Sequence, residues 1–156
     1  MTGSLAAGRS PADSPHPILL YDGVCGLCNR LVQFVLRRDP AGVFRFAALQ
    51  SPLAARILAG HGLDAHDLDT LYVVVNAEQA DEILLPRSDA VIFMLRRLEG
   101  AGKSFWRMTA FLLQLVPRPV RDWGYGVVAR MRYRIFGRYD TCPLPTEETR
   151  SRFLDL

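Results

Sequence analysis

The first uninterrupted apolar run, PILLY at residues 17–21, is the length of a buried strand and stops at the turn pair Asp22-Gly23. From there the period lengthens. Leu27, Leu31, Phe34 and Val35 fall at helical spacing, with Arg30, Gln33 and Arg37 on the opposite face. This predicts a helix from Cys28 to the Asp39-Pro40 pair, because the residue before a proline is driven out of helical geometry. VFRFA at 43–47 is rich in strand formers, with Phe44 and Phe46 on one face. The connection between the two strands is long enough for a parallel crossover.

Ser51-Pro52 supplies a cap and a first-turn proline for a second helix over 52–59, stopped by Gly60. LYVVV at 71–75 and EILL at 82–85 flank a polar segment containing Asn76 and predict a hairpin. Ser88 is positioned to cap a third helix through Val91, Ile92, Leu95 and Leu98, ending near Gly100. Strand, helix, strand, helix, hairpin, helix is a thioredoxin-like α/β order. Beyond Gly100 the pattern is purely helical: residues 104–116 and 119–136 form two amphipathic helices divided by PRP. In the second, Trp123, Val127, Met131 and Ile135 recur every four positions and read as a core stripe, as do Trp106 and the helically spaced phenylalanines. The chain thus divides into a flexible tail at 1–17, a core at 18–100 and a helical extension at 101–156 on the same domain. There is no internal repeat.

At 156 residues, with 49% apolar and 22% charged residues, the chain buries a core without cross-links. The opening MTGSLAAGRSPADSPHP lacks the basic start and apolar stretch of about 7 to 15 residues that mark a secretory signal. No run reaches the roughly 18 apolar residues of a membrane-spanning helix. The expected location is the cytoplasm, where three cysteines argue for catalytic or metal-binding thiols over a disulfide framework. Net charge is +3, but between Arg96 and Arg138 there are ten Lys or Arg and two acids.

YDGVCGLCNR places Cys25 and Cys28 at the junction of the first strand and helix. A thiol attacks a disulfide only as the thiolate. At a helix N-terminus, unpaired backbone N–H groups and the helix dipole favour that anion. The expected roles follow: Cys25 attacks, a mixed disulfide forms, and Cys28, one turn further in and more buried, resolves it. Asp22 reads two ways, as an Asp-Gly turn residue or as a proton relay beneath Cys28.

YDGVCGLC also contains the D-x-x-C-x-x-C signature of the DCC family of predicted thiol-disulfide oxidoreductases. LLYDGVCGLCNRLVQFVLRRD, FRFAALQS, LLPRSDAVIFMLRRL, RYDTCPLP and RSRFLDL resemble that family's run of elements over residues 18–156. The resemblance implies a thioredoxin-like fold, with Cys25 and Cys28 as the redox pair and Asp22 as the third signature residue. One departure from thioredoxins is the approach to Leu71, which is Asp67, Leu68, Asp69, Thr70 where they carry a cis-proline.

Other chemistries fit less well. Cys25 and Cys28 with His61 and His66 leave 32 residues between the halves of a zinc site, where a compact finger has about 12 to 15. Cys142 has no second cysteine or base nearby and reads as inert. Arg130, Arg134 and Arg138 form a ridge at every fourth position, suited to a solvated face or, as the second hypothesis, to a non-catalytic module meeting a membrane or a protein. No nucleic-acid module is present, and no cofactor or metal is expected. The expected partners are a protein or small-molecule disulfide or dithiol and an external electron donor.

Overall fold

Ile18, Leu19, Leu20 and Tyr21 are all buried, because this strand is covered on both faces. It is β1 (Ile18–Tyr21) in the computed structural model, which describes residues 16–64, 66, 68–140 and 144–155. α1 (Gly26–Arg38), β2 (Arg45–Ala48), α2 (Pro52–Gly60), β3 (Tyr72–Val75), β4 (Ile83–Pro86) and α3 (Arg87–Arg97) follow. The sheet order is β2-β1-β3-β4, with β1 and β2 parallel and the other two pairings antiparallel. This mixed sheet with helices between its strands is consistent with a thioredoxin-like fold. Side chains alternate across it as a strand requires. Leu19, Tyr21, Phe46 and Val73 pack on Val32 and Val35 of α1 and Ile92 and Leu95 of α3. Ile18, Leu20, Ala47 and Val74 pack on Leu53, Ile57 and Leu58 of α2.

Ser51 caps α2, its hydroxyl accepting from the Ala54 amide at 3.2 Å. Asp39 ends α1 and then accepts the Val43 and Phe44 amides at 3.0 and 2.9 Å, and an ion pair with Arg152 holds its buried carboxylate. Ser88 does not cap α3. Pro86 occupies that position, and the Ser88 hydroxyl donates to Asp122 at 2.5 Å.

α4 (Lys103–Leu115) and α5 (Arg118–Phe136) pack over α3 and α1. The stripe expected to be core faces outward: Trp123 is 72% exposed and Ile135 61%, and Phe105 and Phe111 are exposed as well. Trp106 does pack against the core. α5 reverses the expectation because its inward face carries Tyr125 and the buried Arg132, polar groups with partners inside the molecule. Among the described residues no helix is long and apolar enough to cross a membrane. The tail at 1–15 and Cys142 lie outside the described residues.

After α5 the chain straps across the start of α1. Gly26 donates to the Gly137 carbonyl at 3.1 Å, and Tyr139 donates to that of Val24 at 2.7 Å. A Cβ on Gly26 would lie 2.2 Å from the Phe136 carbonyl oxygen, so only glycine admits this approach. Gly26→Ala is therefore expected to lift the strap, lowering stability in chemical denaturation by about 1–3 kcal/mol. Hydrogen exchange at the Tyr139 amide should accelerate, and protection equal to wild type would contradict the strap's dependence on Gly26.

Candidate functional site

The site begins with a helix cap. Cys25 has extended backbone angles (φ −80°, ψ 124°), and its sulfur accepts the Cys28 amide at 3.4 Å, the hydrogen bond that Ser or Asp makes at other helix starts. The preceding loop is fixed by Asn29, whose side-chain amide donates to the Gly23 and Cys25 carbonyls at 2.8 and 2.9 Å. Gln50 ties the loop to the end of β2, donating to Asp22 at 2.7 Å and accepting from the Gly23 amide at 3.1 Å.

Both thiols are free, and their exposure reverses the expectation. Cys25 is fully buried beneath residues 136–139, whereas Cys28 is partly exposed. The strap accounts for this: it closes the side of the helix start from which Cys25 would meet solvent. Cys28 lines a cavity of about 480 Å³ between α1, α3, α4 and α5, walled mainly by apolar residues such as Leu31, Leu113 and Val128.

Arg132 was not singled out by the sequence and organises this site. Its side chain is 5% exposed, with Nη1 3.7 Å from the Cys28 sulfur. Its Nη2 lies 3.3 Å from the Asp22 carboxylate, donates to the Leu68 carbonyl at 2.8 Å, and reaches Asp69 at 3.1 Å and the Tyr133 hydroxyl at 3.0 Å. Tyr133 in turn donates to Asp22. Asp22 is thus buried beside the pair, its oxygens taken up by Val24, Gln50, Tyr133 and Arg132. The segment before β3, where thioredoxins carry their cis-proline, is held from α5 instead: Arg132 binds the Leu68 carbonyl, and the Tyr125 hydroxyl accepts the Leu71 amide at 2.7 Å. One sequence signal marks Arg132: it lies two positions from Arg130 and Arg134, about 200° around the helix from that exposed ridge.

The electrostatics separate the two thiols. A hydrogen bond from the Cys28 thiol lowers Cys25 to about 6; the Cys28 amide and the Arg132 charge add to this, and burial opposes it. Cys28 is pushed up by that same hydrogen bond, by burial and by the negative charge on Cys25. Burial and the Asp22 hydrogen bond raise Tyr133, and burial takes Tyr125 up to about 12. Burial works against the Arg132 cation, but the charges of Cys28, Tyr133, Cys25 and Asp22 outweigh it and hold the guanidinium charged.

His61 pairs with Glu82 at 2.7 Å, far in role from the cysteines, and among the described residues no three His, Cys, Asp or Glu stand together to hold a metal.

A family model described as DCC1-like thiol-disulfide oxidoreductase matches residues 19–138, from β1 through the strap, and so includes the cysteines and Arg132. The chain is 37% identical over 140 residues to the "Uncharacterized protein YuxK" of Bacillus subtilis (strain 168), covering 90% of this chain and 95% of that protein. It is 36% identical over 132 residues to the "DCC family protein At1g52590, chloroplastic" of Arabidopsis thaliana, covering 85% and 72%. No solved structure matches the chain. A signature Asp and two cysteines at a strand-to-helix junction, within a match that spans most of the chain, therefore mean that it belongs to the DCC1-like thiol-disulfide oxidoreductase family.

Proposed function

We propose that Cys25 and Cys28 catalyse thiol-disulfide exchange through a mixed disulfide, with Asp22 and Arg132 as positioning residues. The observation that carries this reading is the Cys25 sulfur serving as helix cap, with its thiolate favoured by Cys28 and Arg132. In the forward direction the Cys25 thiolate attacks one sulfur of a substrate disulfide and expels the other as a thiolate. Cys25 has then lost its charge and no longer accepts the hydrogen bond that kept Cys28 protonated. The Cys28 proton passes to the departing thiolate. Arg132, 3.7 Å away, favours the new anion, which attacks Cys25 and releases the second substrate sulfur as a thiolate that takes up a proton from solvent. The pair ends as a disulfide and the substrate carries the two electrons.

Asp22 serves the pair through Arg132 and Tyr133 in this scheme, holding the cation against Cys28. Because Cys25 lies under residues 136–139, a polypeptide disulfide reaches it only when that strap yields.

With dithiothreitol as donor, the protein is expected to reduce a protein disulfide faster than Cys25→Ser or Cys28→Ser; wild-type activity no higher than either variant would sink the enzymatic reading. Arg132→Gln should lower the rate at neutral pH by removing the charge that favours the Cys25 thiolate and then the Cys28 anion. An unchanged rate would remove Arg132 from the mechanism.

A further inference from the structure

Cys28 faces the apolar cavity while Cys25 is sealed, so in this conformation a co-reactant reaches the pair through Cys28. The cavity, at about 480 Å³, has the size of a small-molecule site. Two arginines in its wall, Arg121 and Arg132, stand eleven residues apart on α5, about 16 Å along the axis. Among the described residues, the buried Nε–H of each has no partner. These atoms are sealed within the protein, and both guanidinium charges are matched there, Arg121 by Asp89 at 3.4 Å and Arg132 by Asp22 at 3.3 Å, so what the cavity offers an occupant is an apolar wall and the Cys28 sulfur.

We propose that this cavity receives a small apolar dithiol, which reduces the oxidised Cys25–Cys28 pair; this inference rests on the exchange reading above. The ligand's first thiolate attacks the Cys28 sulfur. The Cys25–Cys28 bond breaks, and its electron pair leaves on Cys25. The ligand's second thiol loses its proton to solvent and attacks its own first sulfur, closing a cyclic disulfide and releasing Cys28, which takes up a proton. The ligand loses two electrons and the pair gains them. Attack at Cys28 makes Cys25 the leaving group, and a thiolate at the capped helix start leaves readily. The ligand's apolar part lies along Leu31, Leu113 and Val128, with its thiols at the Arg132 end.

The test follows reduction of the oxidised full-length protein by dihydrolipoate and, separately, by dithiothreitol. Dihydrolipoate, whose chain is apolar, should saturate. Val128→Trp, which fills the cavity from its rim, should lower the ratio of dihydrolipoate to dithiothreitol rates at least about tenfold. Ile83→Trp, at the exposed first position of β4, should leave that ratio unchanged. A dihydrolipoate reaction that does not saturate, or equal slowing of both dithiols, would overturn the donor site and leave the exchange pair standing. A pair that neither dithiol reduces would overturn both.

A different observation carries a second inference. On α4, Phe105, Met108, Leu112 and Leu115 are spaced by three, four and three on the face opposite buried Ala110, and all are more than half exposed. On α5, Val120, Trp123, Met131 and Ile135 are also exposed. An exposed apolar set of this size marks an interaction surface. The same two helices carry Arg107, Arg118, Arg130 and Arg134, and among the described residues Arg130 and Arg134 have no carboxylate partner. A second copy of the chain would set cation against cation, whereas an anionic bilayer complements both the charge and the apolar face.

We infer that α4 and α5 dock on anionic membrane surfaces. The full-length protein should sediment with phosphatidylglycerol-containing vesicles at least about tenfold better than with phosphatidylcholine vesicles, less so as salt rises, and with a blue shift of Trp123 fluorescence. Leu112→Ser with Trp123→Ser should abolish this while preserving the circular dichroism. No sedimentation, or lipid-free self-association abolished by the same substitutions, would overturn the inference. Binding lost only when Arg130 and Arg134 are neutralised, and untouched by the apolar substitutions, would also overturn it.

Discussion

The guanidinium of Arg132 between the Asp22 carboxylate and the Cys28 sulfur is the contact on which the rest of the site depends. A buried cation is tolerable only with its hydrogen bonds satisfied and a counter-charge at hand. Asp22, at the end of β1, provides the charge, and Leu68, before β3, provides a carbonyl. Arg132 therefore requires α5 to lie beside the end of β1 and the segment before β3, and α5 in turn carries the strap over Cys25. The helical segment after Gly100 completes the candidate site, and a core cut at residue 100 lacks the cation that favours the thiolate.

The same arrangement makes the two sulfurs unequal in both access and ionisation. Cys25 is covered, caps the helix and is held low, whereas Cys28 opens to an apolar cavity and is held protonated by its neighbour. The stabilisation of the Cys25 anion exists only while the pair is reduced, so it favours the dithiol over the disulfide. In the exchange we propose, the restraint on Cys28 ends once Cys25 is consumed in a bond, and Arg132 is left facing it. In that scheme one cation serves two successive anions without moving.

Much of the fold was legible because local signals agreed with the tertiary outcome. PILLY is a strand because both its faces are buried, Ser51-Pro52 caps α2, and the hairpin registers Tyr72 with Pro86. CxxC at a strand-to-helix junction located the thiols. Reading failed where long-range contacts took over. Ser88 has cap chemistry but is used between α3 and α5. The Trp123 stripe has core periodicity, yet α5 turns inward the face that carries Arg132 and Tyr125. The burial order of the cysteines depends on residues 136–139, more than a hundred positions away, and periodicity near Cys25 carries no trace of them. Arg132 itself was visible only as an arginine out of phase with its neighbours.

The most direct test of this account is the ultraviolet absorbance of the thiolate in the fully reduced protein, followed across pH. The account predicts one thiolate that forms with a midpoint near 6, is absent in Cys25→Ser, and moves to higher pH in Arg132→Gln. A wild-type protein in which no thiolate appears until the ordinary cysteine range, about 8.5, would contradict it.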